Sequence, residues 1–258
     1  MGRKTYRILI DGGSSSKSSV GTYQILPYLK HEGIGRLDAV FLSHEDLDHC
    51  SGVPELMEDM EKGGIGIGAL FLPDIGQAGE AAYGAIVPRA KSLNIPVTFL
   101  HGGQSLMFGE MSLACLGPEA EGRAVASERI NAHSMVLRLS YGDFSALFTG
   151  DVEGEGLEAL KEVLRRETER GDAAGPLSDI DLLKVSHHGS RLATDEEFLA
   201  LTRPEVALIS CGRNNRYGHP HEETMELLTA AGAQIFVTAN TGAITVDVLE
   251  DGRQYRIQ

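Results

Sequence analysis

The stretch Phe41-Leu42-Ser43-His44-Glu45-Asp46-Leu47-Asp48-His49-Cys50-Ser51-Gly52 constrains this chain more than any other. Four apolar residues, Ala39, Val40, Phe41 and Leu42, run straight into His44, Asp46, Asp48 and His49, and a segment of helical character, Val53 to Glu61, follows at once. By length and composition Leu37 to Leu42 reads as a buried strand. Four metal-competent side chains within six residues, at a strand-to-helix junction, point to a metal site. Imidazole and carboxylate donors suit Zn, Mn or Fe, and the weighting toward carboxylate leans to Mn or Zn. His44 and Asp46 lie two apart in a turn and can close on one ion; Asp48 and His49 can close on a second. The plain alternative is a polar loop in which Asp46 or Asp48 only N-caps the helix that follows.

Three further clusters come after expected strands. Thr149-Gly150-Asp151 ends the strand Ser145 to Phe148, and His187-His188-Gly189-Ser190 follows Asp181 to Val185. Tyr217-Gly218-His219-Pro220-His221 lies in the polar loop Gly212 to His221, after Val206 to Ser210. Each has a plain reading too: Gly-Asp is common turn chemistry, adjacent histidines can be surface residues, and His221 can simply start the next helix. Their shared position decides the weighting, because the ends of neighbouring strands in a sheet converge on one edge.

Between these motifs the chain alternates strands and helices. Tyr6 to Ile10 reads as a strand stopped by the turn Asp11-Gly12-Gly13, and the serine-rich Ser14 to Ser19 as a loop. Tyr23 to Leu29 reads as a helix that starts or kinks at Pro27. Ala69 to Leu72 reads as a strand, Gly79 to Leu93 as a helix, and Pro96 to Leu100, Ser105 to Phe108 and Met111 to Leu116 as strands. Pro118 to Ile130 is a long polar loop. Met135 to Leu139 and Ser145 to Phe148 form a hairpin about Gly142-Asp143. Gly156 to Arg170 is a helix, acidic early and basic late, in accord with its dipole. Thr194 is placed to cap a helix through Leu201, with Glu197 completing a capping box. Glu222 to Ala231 is a helix, and Ile235 to Thr238 and Ala243 to Leu249 are closing strands. Strand-rich halves mixed with helices predict two mixed sheets covered by outer helices, within one domain spanning 1–258.

The bulk numbers narrow the function classes. With 37 acidic against 23 basic residues the net charge is −14, and such a surface repels nucleic acid and anionic lipid at long range. A phosphate gripped locally by divalent ions is not excluded. Three scattered cysteines, Cys50, Cys115 and Cys211, imply no disulfide framework and no C-x-x-C zinc knuckle. No apolar run approaches the roughly 18 to 20 residues of a membrane span, and the start lacks a signal-peptide core, so no membrane insertion by this chain is expected.

The order His44-x-Asp46-x-Asp48-His49, then Thr-Gly-Asp151, then His-His188-Gly resembles the metallo-β-lactamase superfamily. Several strings are similar to the hydrolase-like C-terminal domain of ComEC-type DNA-uptake proteins: Val20-Gly21-Thr22-Tyr23, Leu26-Pro27-Tyr28-Leu29-Lys30, Asp181 through Ser190, and Gly212-Arg213-Asn214-Asn215-Arg216-Tyr217-Gly218-His219-Pro220-His221. The resemblance runs from about Ile8 to Val246. It implies an α/β (α+β) chain folded as a four-layer αββα sandwich, without the family's usual first strands, with one or two divalent ions, Mn or Zn, at the sheet edge. Carried over, Asp48, His49 and His188 hold one ion, and Asp151 bridges to a second held by His44 and Asp46. Asp46 stands where many members have histidine, as it does in the ComEC-like branch. The further histidine that the superfamily places before the Met135 strand has no direct equivalent; Asn131 falls nearest and His133 is close by, so that shell is completed by one of these, by His219 or by water.

The implied activity is metal-dependent hydrolysis of a phosphodiester, as a nuclease acting on DNA during uptake. Asp48 or Asp151 accepts a proton from the attacking water. His187, His219, Ser190, Arg213 and Arg216 meet phosphate oxygens, although the two arginines can equally be solvated loop charges. With no tryptophan and no evident stacking cluster, the grip on DNA is expected to be backbone-directed and blind to sequence. Two alternatives stay open: hydrolysis of a small ester, thioester or lactam, and a non-catalytic, metal-stabilised module that binds DNA or a partner. A ComEC-like domain belongs to a longer parent with a membrane channel, on the extracytoplasmic side; a standalone chain would be cytoplasmic.

Overall fold

The apolar run that opens the motif is a central strand. In the computed structural model, which describes residues 5–76, 79–119, 130–170, 179–249 and 252–258, Ala39, Val40, Phe41 and Leu42 are all fully buried. A strand without polar alternation needs cover on both faces, the usual situation in a parallel sheet. Tertiary contacts divide the chain into two compact units, one within residues 1–101, the other within residues 102–119 and 130–258.

The first unit contains β1 (Ile8–Ile10), α1 (Leu26–His31), β2 (Arg36–Leu37), β3 (Ala39–Phe41), α2 (Leu47–Cys50), α3 (Val53–Glu61), β4 (Gly66–Ile67), β5 (Leu70–Pro73), α4 (Gly79–Ala82), α5 (Ile86–Ser92) and β6 (Val97–Leu100). Its main sheet has the order β1-β3-β5-β6 and is parallel throughout. Val53, Leu56 and Met57 recur at helical spacing on α3 and pack with Leu26, Leu29, Ile86, Val87 and Ala90 against Val40, Leu42, Leu70 and Leu72. Each such buried side chain contributes about 1.5–3 kcal/mol relative to exposure. The register-paired Phe41 and Phe71 have the opposite parity along β3 and β5, and their rings stack at 4.6 Å.

One expectation for this unit needs correction. The helix read over Gly79 to Leu93 is two short helices, because Gly84 turns the backbone to φ +47° between them. The regular helix α1 starts about Pro27, as expected: a wide π-type turn, Gly21–Ile25, leads into it, and Pro27 stands in its first turn, where a missing N–H costs little.

The second unit contains β7 (Ser105–Phe108), β8 (Met111–Gly117), β9 (Val136–Tyr141), β10 (Phe144–Phe148), α6 (Glu155–Arg170), β11 (Leu182–Lys184), α7 (Glu196–Thr202), β12 (Val206–Ile209), α8 (Glu222–Ala230), β13 (Gln234–Val237), α9 (Thr238–Thr241), β14 (Val246–Val248) and β15 (Tyr255–Ile257). Its seven-stranded sheet has the order β13-β12-β11-β10-β9-β8-β7. β10 to β13 run parallel, and β7 to β10 form an antiparallel meander that includes the expected hairpin. Leu157, Leu160 and Leu164 of α6, Phe198 and Leu199 of α7 and Leu228 of α8 cover the sheet through Leu147, Leu183, Ala207 and Ile209. Phe144, Ala146 and Leu182 pack instead with Val246, Val248 and Tyr255.

Here too the structure departs from expectation. Asp195, not Thr194, caps α7: its carboxylate accepts the Phe198 N–H at 2.8 Å. A charged oxygen one residue later is the stronger acceptor, and Thr194 is buried. The closing segment Ala243 to Leu249 does not extend the main sheet. Only Val246–Val248 is strand, paired with the unanticipated β15 in a separate ribbon. Of the polar loop over Pro118 to Ile130, residues 120–129 lie outside those described.

The chain is thus a mixed α/β structure whose sheets are flanked by helices, as the strand and helix pattern implies. Among the described residues no helix is long and apolar enough to cross a membrane.

Candidate metal centre

The first unit delivers His44, Asp46, Asp48 and His49 from the end of β3 into α2. Ser43 to Asp46 bend away from β3, and Asp46, extended at φ −64° and ψ 146°, precedes the first helical residue. Its backbone carbonyl accepts the amides of His49 and Cys50 at 2.9 and 3.0 Å, whereas its side chain makes no capping bond. The plain reading of Asp46 as a helix cap therefore does not describe its carboxylate. Asp46 Oδ2 lies 3.6 Å from Nε2 of His44.

A residue with no signal in the motif orients this cluster. Asp11, at the end of β1, accepts the Ser43 N–H at 2.7 Å and the Ser43 hydroxyl at 2.8 Å. Nδ1 of His49 donates to Asp11 Oδ2 at 2.8 Å. With the Ser43 proton directed to Asp11, Nδ1–H of His44 donates to Ser43 Oγ at 3.0 Å. Both histidines therefore present Nε2 as the nitrogen with the lone pair, the tautomer that a ligand histidine needs. Their rings are 4.1 Å apart. The Nε2 of His44 is buried and makes no hydrogen bond among the described residues. Burial alone would raise the Asp11 pKa, but the hydrogen bonds from His49 and Ser43 outweigh it and hold the carboxyl below its ordinary range.

Backbone packing explains why β1 and the motif stay together. Gly12 N–H donates to the His49 carbonyl at 2.7 Å, and Gly52 N–H to the Gly12 carbonyl at 2.9 Å. A Cβ on Gly13 would sit 2.3 Å from the Leu47 carbonyl oxygen, so glycine is required by close approach. Cys50, inside the motif, donates its thiol hydrogen to the Glu45 carbonyl at 3.1 Å, and burial, reinforced by Asp11, Asp46, Glu45 and Asp48, pushes that thiol up to about 11.

The second unit brings its clusters to one edge of its sheet, as the strand-end argument expects, because β10, β11 and β12 are parallel neighbours. Asp151 is buried, and its Oδ2 lies 3.4 Å from His188 Nε2 and 3.8 Å from His187 Nε2. His188 Nδ1–H donates to the Ser210 carbonyl at 2.7 Å. A carbonyl only accepts, so Nε2 again holds the lone pair. His187 and His188 both take left-handed backbone, at φ 44° and 56°, which costs on the order of 1–3 kcal/mol each and recurs at ligand clamps. Nδ1 of His187 is held by Glu153 at 2.8 Å, and Asn131 donates to the same carboxylate at 3.1 Å. The His187 hydrogen bond holds the Glu153 carboxyl below its ordinary range. Neither Asp11 nor Glu153 stands out in sequence; each is an acidic residue in a turn, and only the fold pairs it with a histidine.

The remaining candidates divide. Asn131 joins the His187–Glu153 network, whereas His133, in the same short helical turn, belongs to no metal-competent His/Asp group among the described residues. Ser190 is buried, its Oγ accepting the Leu192 N–H at 3.3 Å. Arg213 is exposed and its Nε donates to the Ala239 carbonyl at 2.8 Å. His219 is clamped by Asn215, which accepts its N–H and donates to its carbonyl. Burial, helped by His187, His221 and His188, pushes the His219 pKa down to about 4, so the ring is neutral at pH 7. His221 stands just before α8 without capping it, and its Nδ1 accepts the Arg191 N–H at 3.1 Å.

Residues with the chemistry to coordinate a divalent metal are therefore present in both units: His44, Asp48 and His49 in the first, and Asp151 and His188 in the second. In each unit a lone pair on His Nε2 faces an Asp oxygen, at 3.6 and 3.4 Å. Two acceptors at that distance repel unless a proton or a cation lies between them, and buried imidazole–carboxylate sets are suited to the cation.

Residues 2–105 match the Metallo-beta-lactamase superfamily. The metallo-beta-lactamase fold protein YhfI from Bacillus subtilis superimposes with a TM-score of 0.55 at 14% identity, covering 90% of this chain and 83% of that one. This likeness shows the fold: the chain has the metallo-β-lactamase architecture. The family match over residues 2–105 and the donor residues together support a metal-dependent hydrolase. More particularly, the chain is 32% identical over 250 residues to ComE operon protein 3 of Bacillus subtilis (strain 168), covering 92% of this chain and 30% of that protein. It is 28% identical over 237 residues to Competence protein ComA of Neisseria gonorrhoeae, covering 92% of this chain and 28% of that protein. A connection to competence proteins is thereby supported. The chain spans about a third or less of the length of the curated relatives it matches.

Proposed function

We propose that this chain hydrolyses phosphodiesters, with DNA as the polymer it acts on. The facing His Nε2 and Asp oxygens, with each histidine oriented through Nδ1, carry the metal-dependent part of this reading. In it, His44, Asp46, Asp48, His49, Asp151 and His188 hold one or two divalent ions, Mn or Zn. When bound, such ions acidify water and stabilise a departing oxygen. Asp48 or Asp151 accepts the proton of the attacking water, and His187, oriented by Glu153, and the neutral His219 stand ready to exchange protons with the substrate. Phosphate contact falls to Arg213 and Arg216, whose guanidinium N–H groups match phosphate oxygens in pairs. Ser190, engaged in its own turn, supports that loop instead. The competence name of one relative supports DNA over a small ester or lactam.

The test is hydrolysis of bis-p-nitrophenyl phosphate and of single-stranded DNA, with Mn or Zn added to the metal-free protein. Turnover should depend on the ion and fall by more than about 100-fold in Asp151→Ala, since even supporting partners of ligands are worth about 10- to 100-fold. Bound metal without cleavage of either substrate would sink the enzyme reading in favour of a binding module. Cleavage confined to thioesters or lactams would overturn the phosphodiester assignment.

A further inference from the structure

No tryptophan and no evident aromatic cluster appear in the sequence, yet the loop after β12 assembles a planar surface from residues that individually look polar. Tyr217 is 52% exposed. Its ring stacks on His219, with centroids 5.7 Å apart and planes 22° apart, and His219 in turn stacks on His188 at 6.3 Å and 21°. The exposed Arg216 guanidinium lies 4.8 Å from the Tyr217 centroid and donates to its hydroxyl at 2.5 Å. A ladder of rings therefore runs from solvent through His219 to His188, beside Asp151. The loop is braced by its own hydrogen bonds. Asn215 bonds both the N–H and the carbonyl of His219 and also the Gly212 carbonyl, and Gly218 supplies the turn at φ +74°. A pre-ordered ring loses little conformational entropy when a ligand stacks on it.

We propose that Tyr217, flanked by Arg216, is a stacking platform for an unpaired nucleobase next to the phosphodiester being cleaved, which makes single-stranded nucleic acid the preferred substrate class. The inference rests on the phosphodiesterase reading. An extended aromatic face with a guanidinium beside it fits a base and its phosphate together: the ring meets the π-face, and Arg216, exposed beside the Tyr217 hydroxyl to which it donates, can turn to the phosphate. A base inside a duplex cannot reach such a surface without unstacking. Because every base offers a π-face, the platform is tolerant of sequence. It also supplies short-range attraction that the net charge of −14 does not provide at long range.

The experiment measures binding, without cleavage, by fluorescence anisotropy in EDTA. It compares a labelled oligodeoxythymidylate with an oligomer of the same length built from abasic residues, which keeps the phosphodiesters and removes the bases. The wild-type chain should prefer the base-bearing strand by roughly 10-fold, within the range of stacking one base on an aromatic side chain. Tyr217→Ala should reduce that preference to about one, and Tyr217→Phe should restore it, because the ring and not the hydroxyl does the stacking. Equal binding of the two strands by wild type overturns the platform whatever the chain hydrolyses. So does a preference that survives Tyr217→Ala. A base preference in a chain that cleaves neither bis-p-nitrophenyl phosphate nor DNA keeps the platform and overturns the hydrolase reading.

Discussion

The two donor clusters solve one problem by different means. In the first unit, His44 and His49 are oriented by side chains: Ser43 and Asp11, the latter reaching across from another strand. In the second, His188 is oriented by a main-chain carbonyl and by a backbone forced into the left-handed region. His187, beside it, follows the first pattern through Glu153. Orientation by a carboxylate adds charge as well as direction and can be removed by one substitution. Orientation by a carbonyl is neutral and survives any change of the residue that supplies it. The first cluster should therefore be more sensitive than His188 to single substitutions of the side chains that orient it.

Asp11→Asn is the sharpest way to break this contrast. It keeps shape and, with the amide oxygen on the Ser43 N–H, turns an NH2 donor instead of an acceptor toward His49 Nδ1, so metal affinity should fall by about 10- to 100-fold, as read by competitive titration with a chelator. An unchanged affinity would show that the Asp11–His49 pair is only packing. The same residue makes a pH prediction for the metal-free protein. The folded Asp11 pKa lies below its ordinary value of 3.8, so its contribution to stability is complete above that value and is lost as pH falls through the folded one. Wild-type melting temperature should drop in this acid range, and the Asp11→Asn curve should be flatter there. Parallel curves would mean that Asp11 is not the coupled group.

Glu153→Gln should do less, lowering kcat/KM by no more than about 10-fold, the lower end for supporting partners. Asn131, 3.4 Å from the same His187 nitrogen, still limits the ring. A kcat/KM loss beyond about 10-fold, equal to that of Asp11→Asn in the same assay, would erase the difference between the clusters. The smallest effect belongs to Ser210→Ala, which leaves the carbonyl that accepts from His188 in place. Metal affinity should stay within about 2-fold, as for an ordinary surface substitution. A larger loss would show that the Ser210 side chain, and not its backbone, orients the histidine.

Much of the fold can be read before the structure is seen, and for particular reasons. The run Ala39 to Leu42 announces a strand buried on both faces, and Gly142-Asp143 announces a hairpin, because both signals are local. The breaks are less visible. A helix over Gly79 to Leu93 looks continuous until Gly84 adopts a positive φ, and Thr194 looks like a cap until Asp195, one residue on, takes that role. In both places two neighbouring options differ by about 1 kcal/mol, and tertiary packing selects one.

The sequence by itself marked the candidate donors of this protein: His44, Asp46, Asp48, His49, Asp151 and His188 all follow closely on strands, where chain direction brings chemistry to a sheet edge. Tertiary structure alone decided how they are aimed. Asp11 meets a histidine 38 positions away and Glu153 one 34 positions away. Tyr217, His219 and His188 become a ladder of rings only when β11 and β12 lie side by side. Residue type and local period are written along the chain, but the orientation of a side chain depends on partners that are distant in sequence, and only the folded backbone brings them within hydrogen-bonding reach.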